Sequence, residues 1–290
     1  MSTKLKIAAA VAAAVLLSAC SSPKHEPMPL VKFTPSMEVT EVWSKGLSSA
    51  EGFLVPAVYD DMVFAAGGKT LTRLNARTGE TEWSVSFDSP ITGGVGSDGY
   101  VTAVGLWDGN LEVVDAEGKV SWEKKLTTEL ASPPVVSHGL VIARTMETRV
   151  SAFEASSGEL QWTYQRSQPA LTVRLPTRML AHDNFLLVGQ PNGHIVILDI
   201  ASGKPMFEFQ VAQAKGVTEV ERLVDVVGAP AFSDNLVCAA AFQGAVTCVD
   251  STNGQTRWTQ KLDAVAGHAL DQDTVYALRA NGQTQSFYRQ

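Results

Sequence analysis

The chain has 290 residues, 45% of them hydrophobic, and a formal charge of −7. That composition supports a large buried core, and the negative balance argues against nucleic acid as a partner. All-β folds of this length are commonly one domain, and no composition shift or polar run after residue 41 marks a second boundary.

At the N-terminus, Lys4 and Lys6 precede an apolar run from Ile7 to Leu17 that ends in Leu17-Ser18-Ala19-Cys20. A charged start, a short apolar stretch and small residues at its end are the parts of a secretory signal, here residues 1–19. The run is too short to cross a bilayer comfortably as a helix. The block Leu-Ser-Ala-Cys resembles the lipobox of bacterial lipoproteins. The resemblance implies cleavage before Cys20, whose sulfur then carries the lipid. Ser21 follows, rather than an aspartate that would retain such a lipoprotein at the inner membrane, so the implied location is the outer membrane. Residues 20–40 hold Pro23, Pro27, Pro29 and Pro35 among polar residues and read as an extended tether.

From residue 41 onward the chain repeats. Gly79 leads to Trp83, Gly118 to Trp122, Gly158 to Trp162, Gly203 to Phe207 and Gly254 to Trp258, while Trp43 stands where another copy would end. The aromatics are 40, 39, 40, 45 and 51 residues apart. A period near 40 signals a repeat architecture. Within one copy, Pro134–Val136, Gly139–Ala143, Arg149–Phe153 and Leu160–Tyr164 read as four short strands separated by Gly, Asn, Asp and Ser turns. Four antiparallel strands per unit of this length make a propeller blade. Glycine suits the third turn because a tight hairpin needs positive φ. The following aromatic offers its face to the gap between blades, which makes these tryptophans packing residues rather than a sugar platform.

Six sets of first to third strands are present, the last at Ala269–Asp271, Thr274–Leu278 and Thr284–Tyr288 without a fourth strand. The expectation is an all-β, six-bladed propeller over residues 41–290, with Glu41-Val42-Trp43 supplying the missing strand and closing the ring.

The two longest spacings come from segments 165–175 and 210–227, each joining the outer strand of one blade to the inner strand of the next. They flank a single blade and are expected to be neighbours. Leu171, Val173 and Arg174 stand in the first; Glu219, Glu221, Arg222 and Asp225 stand in the second. Apolar residues beside arginine and carboxylates suit a protein interface, with anchors supplying affinity and charges setting register. The alternative is two solvated loops, the second with a short helical turn. Long loops in compact repeats usually carry function, which favours the interface.

The lipobox, the Gly-x-x-x-Trp repeats and the block Thr218-Glu219-Val220-Glu221-Arg222-Leu223-Val224-Asp225-Val226 together resemble the BamB family, the lipoproteins of the outer-membrane β-barrel assembly (BAM) machine. The likeness covers residues 17–290. It implies a lipid-anchored, non-enzymatic scaffold on the periplasmic face of the outer membrane. Such a scaffold binds the periplasmic POTRA domains of BamA and assists insertion of outer-membrane proteins, unfolded clients being further partners. The resemblance assigns partner contact to Leu171-Thr172-Val173-Arg174 and Asp225; Val227 stands where the family usually has a second aspartate. The family usually has eight blades.

The rival reading is a quinoprotein-type enzyme or a propeller that binds an envelope ligand. No adjacent cysteine pair, Gly-x-Ser-x-Gly elbow or phosphate loop is present. His25, His138, His182, His194 and His268 lack metal-ligand spacing, and Asp60-Asp61 suits a turn. No catalytic residue, metal or cofactor is therefore expected. Cys238 and Cys248 flank one hairpin turn, either as a disulfide or as two small buried thiols.

Overall fold

The structure, a computed structural model, describes residues 28–49, 54–167, 169–173, 175 and 177–289. The described strands form six consecutive antiparallel sheets, each built in chain order. Sheet 1 is β1 (Ala57–Tyr59), β2 (Met62–Gly67), β3 (Thr70–Asn75) and β4 (Thr81–Ser86). Sheet 2 is β5 (Ile91–Ser97), β6 (Thr102–Leu106), β7 (Asn110–Val114) and β8 (Val120–Lys125). Sheet 3 is β9 (Val135–Ser137), β10 (Leu140–Arg144), β11 (Val150–Glu154) and β12 (Leu160–Tyr164). Sheet 4 is β13 (Leu180–His182), β14 (Phe185–Gln190), β15 (His194–Asp199) and β16 (Pro205–Gln210). Sheet 5 is β17 (Val226–Ser233), β18 (Leu236–Ala241), β19 (Ala245–Asp250) and β20 (Thr256–Lys261). Sheet 6 has three strands, β21 (Ala264–Leu270), β22 (Thr274–Arg279) and β23 (Thr284–Tyr288).

In sheets 2 to 5 the second and third strands lie between neighbouring sheets and are largely buried, whereas those of sheet 6 alternate with exposed residues. All six residues of Leu236–Ala241 and all six of Ala245–Asp250 are buried. Fourth strands such as Thr256–Lys261 face water and carry charge, with only the aromatic turned inward. Apolar clusters fill each of the five gaps from sheet 1 to sheet 6, for example Phe64, Leu71, Ile91 and Val104 between the first two.

One contact repeats at these gaps. The aromatic of one sheet lies over the glycine turn of the next: Trp83 on Gly118, Trp122 on Gly158, Trp162 on Gly203 and Phe207 on Gly254. A Cβ on any of these glycines would lie closer than 3.0 Å to the ring. All have positive φ, from 67° to 81°. Glycine is therefore demanded twice, by the turn and by the ring above it. Each indole N–H donates to a carbonyl just before that glycine, Trp83 to Ala116 at 2.9 Å, Trp122 to Ala155 at 2.8 Å and Trp162 to Ile200 at 2.8 Å. In all five four-stranded sheets, a bulge in the third-to-fourth pairing immediately follows the residue opposite this aromatic. A bulge bends the strand and re-aims its side chains, and here it recurs beside every ring.

The expected closing strand is corrected by the structure. Residues 41–43 belong to no strand, and sheet 6 remains three-stranded. Instead Trp43 lies over Gly79 of sheet 1 and donates to Ala76 O at 2.9 Å, the same contact made by the later tryptophans. Farther back, Met28 N donates to Asn281 O in the last hairpin of sheet 6 at 3.0 Å. The segment thus touches sheet 6 through Met28 and sheet 1 through Trp43. The physical reason is that the ring contact buries a large aromatic and satisfies its N–H, whereas pairing three residues on an exposed edge offers only partly net-favourable hydrogen bonds.

Cys238 and Cys248 are directly opposite across β18 and β19, with Cα atoms 4.1 Å apart, and are joined as a disulfide. Of the two options open from sequence, geometry selects the bridge.

Candidate partner-binding site

The loop at 165–179 joins β12 to β13 and the loop at 211–225 joins β16 to β17, so they flank sheet 4. They meet. Val173 N donates to Asp225 Oδ2 at 2.6 Å, and Asn192 N, in the hairpin turn between β14 and β15, donates to Asp225 Oδ1 at 3.3 Å. The same turn receives the second loop, since Val211 N donates to Gly193 O at 2.7 Å. A parallel bridge pairs Thr177 with Gly228, and Arg178 N donates to Gly228 O at 3.0 Å. Three chain segments that are distant in sequence are therefore tied around one carboxylate.

Asp225 is buried, at 7% exposure. Burial pushes its carboxyl above the usual aspartate range, while the amides of Val173 and Asn192 and the charge of Arg144 pull it back. Sequence reasoning treated Asp225 as a partner contact. In the fold it is the link between the loops.

The segment after Gly216 forms a single helical turn. Thr218 and Glu221 cap it reciprocally: Glu221 N donates to Thr218 Oγ1 at 3.3 Å, and the Glu221 carboxylate accepts from Val217 N at 2.9 Å and Thr218 N at 3.0 Å. This is the Thr-x-x-Glu arrangement that satisfies free amides at a helix start. Arg222 Nε donates to Gly216 O at 3.2 Å and its guanidinium lies 3.8 Å from Glu219. At the surface the turn presents Val217 and Val220, 93% and 63% exposed, beside the charges of Glu219 and Arg222, with Leu171 48% exposed on the other loop. The two valines were missed in the sequence; apolar residues in an otherwise polar loop are the signal that marks them. Arg166 Nη1 donates to Glu208 Oε1 at 2.7 Å and anchors the base of the first loop on sheet 4.

Arg174 and Cys20 lie outside the described residues. The repeat aromatics Trp83, Trp122, Trp162, Phe207 and Trp258 sit in the gaps between sheets, and Trp258 packs against Phe287 with ring centroids 5.7 Å apart. Among the described residues, no three His, Cys, Asp or Glu side chains gather as metal ligands.

Successive four-stranded sheets joined through an aromatic on a glycine turn define a β-propeller of the quinoprotein-like repeat class. The family model for the outer membrane protein assembly factor BamB matches residues 67–290. The chain belongs to the BamB family, whose named members are assembly factors, a non-enzymatic role, although the repeat is shared with enzymes. It is 38% identical to the outer membrane protein assembly factor BamB of Burkholderia pseudomallei over 92% of this chain and 71% of the relative. Against the Bordetella pertussis protein of the same name, identity is 34% over 90% of this chain and 70% of the relative. The crystal structure of BamB from Moraxella catarrhalis superposes with a TM-score of 0.75 at 28% identity, covering 81% of this chain and 72% of that one.

Proposed function

We propose that this chain works in outer-membrane protein assembly as a lipid-anchored scaffold of the BAM complex that grips the periplasmic POTRA domains of BamA with the two loops flanking sheet 4. The observation that carries this reading is the joining of the loops through Asp225, which ties the loop bearing exposed Leu171 to the loop bearing exposed Val217 and Val220 with Glu219 and Arg222. Exposed aliphatic anchors rimmed by opposite charges suit a partner surface. Roles then divide. Leu171, Val217, Val220, Glu219, Arg222 and Arg174 touch the partner, while Val173, Glu221 and Asp225 hold the two loops in shape. Lipid on Cys20 and the tether after it keep the propeller at the periplasmic face of the outer membrane, so the mechanism is one of positioning.

Pull-down of the BamA periplasmic domains by the soluble form beginning after Cys20 tests the proposal. Leu171→Asp and Val220→Asp are expected to abolish capture with the fold intact, and Asp225→Asn to weaken it by loosening both loops. Undiminished capture by both aspartate variants would overturn the assignment of the surface.

A further inference from the structure

Beneath the two loops, where sheets 2 to 5 converge, lies a cavity of about 230 Å³. Its lining contains several buried polar atoms without a partner: Arg144 Nε and Nη1, Gln190 Nε2, Ser132 Oγ, Thr177 Oγ1 and Thr92 Oγ1. Arg144, Gln190 and Ser132 are only 5%, 3% and 3% exposed. Three of the six atoms are nitrogen donors, and hydroxyls can donate as well. The acid within the lining, Asp225, accepts from Val173 N and Asn192 N; its charge and that of Arg144 attract, but neither Arg144 Nε nor Nη1 has a hydrogen-bond partner. Burial lowers the Arg144 guanidinium to about 10, which leaves it cationic at neutral pH.

A buried cation with unmatched N–H groups is costly to a fold, because each loses its water without regaining an acceptor. What would satisfy this set is a compact anion with several lone pairs, and a carboxylate matches the planar fork of arginine. The cavity is smaller than the 300–1,000 Å³ usual for drug-sized ligands, which limits the guest to one acidic side chain or a small organic acid. A strained backbone also borders it. Thr148 has φ +59° and lines the cavity, whereas the equivalent turns of other sheets carry Gly68, Gly109, Gln243 or Asn192. A β-branched residue in the left-handed region is an outlier of a kind that concentrates at ligand sites.

We propose that this cavity is a carboxylate-binding site, with Arg144 as the charged ligand and Ser132, Gln190 and Thr177 as neutral donors. The site lies below the loops and does not depend on which protein they grip. Its test is a titration of the full chain carrying ¹⁵N-labelled arginine side chains, with the Arg144 Nε–H signal identified by its loss in Arg144→Lys. Three probes are used at matched ionic strength: succinate, glutamate blocked at both ends, and glutamine blocked at both ends. Saturable millimolar shifts with a carboxylate and none with blocked glutamine support the site. A response to succinate indicates a free acid, and a response to blocked glutamate alone indicates an acidic side chain. Ser132→Ala and Gln190→Leu should each weaken binding several-fold. An Arg144 signal that stays still for every probe, or moves equally with blocked glutamine, would overturn the proposal and leave the cavity to water. If Arg144→Lys does not fold, Arg144 is assigned by through-bond experiments and the parent titration decides alone.

Discussion

Both the gaps between sheets and the cavity beneath the loops bury polar atoms, but they treat them differently. In the gaps, the N–H groups of Trp83, Trp122 and Trp162 each find a carbonyl in the next sheet, and the apolar remainder of each ring fills the space above a glycine. Under the loops, Arg144, Gln190 and Ser132 are as deeply buried and find no such partner. In the first four gaps one local motif satisfies the contact; in the fifth, Trp258 packs on Phe287 instead and its buried Nε1 has no hydrogen-bond partner. The cavity is built once, by residues from four sheets, and its donors remain directed toward something outside the chain. The comparison separates parts that hold the propeller together from parts available for recognition.

Truncations should break the two regions unequally. Trp162→Ala removes a buried indole and its hydrogen bond to Ile200, and should cost about 3–5 kcal/mol, read as a lowered urea midpoint. If the loss is under about 1 kcal/mol, the ring contact is not what joins the sheets. The opposite side of this kind of contact is tested by Gly158→Ala, which puts a methyl group 2.8 Å from the Trp122 ring at a φ of +69°. It is expected to cost about 1–3 kcal/mol in the same measurement.

Glu112 offers a pH test of burial within sheet 2. It faces Glu123 across β7 and β8, and burial, reinforced by the negative charge of Glu123, raises its carboxyl to about 7. The folded chain then retains a proton that the unfolded chain releases above its ordinary value of 4.5. Stability should therefore fall as pH rises from about 4.5 to about 7. Glu112→Gln should flatten that slope and gain about 1–3 kcal/mol at pH 8, measured by denaturant unfolding at several pH values.

Smaller effects are expected where the side chain removed has no hydrogen-bonded partner or only a half-exposed one. Arg144→Met removes a buried cation whose Nε and Nη1 have no hydrogen-bond partner and whose attraction to Asp225 offsets only part of its burial, so the thermal midpoint should move by the equivalent of about 1 kcal/mol or less, or rise. A severe loss would mean that the arginine holds the sheets together rather than waiting for a guest. Arg166→Ala removes a half-exposed pair with Glu208 and should change stability by about 0.5 kcal/mol, with the effect shrinking in high salt.

Much of the fold was legible because its rules are local. Apolar runs broken by turns marked the strands, and the Gly-x-x-x-Trp spacing marked each hairpin beside a gap. The adjacency of the two long loops also followed, since both leave a fourth strand and enter a first strand on either side of sheet 4. The site was less legible. Asp225 reads as a partner contact in the sequence, where nothing nearby shows that Val173 and Asn192 direct their amides at it. Glu221 looked available to a partner, although its spacing from Thr218 already allowed a cap.

By itself, the sequence determined the repeat, the order of the strands, the aromatics of the gaps and the family, because neighbouring residues within each forty-residue unit specify them. Only the tertiary structure decided that Trp43 covers Gly79 without joining a strand, that Cys238 meets Cys248, and that Ser132, Arg144, Gln190 and Asp225 line one cavity. Those outcomes depend on which surfaces compete for burial once the sheets have packed.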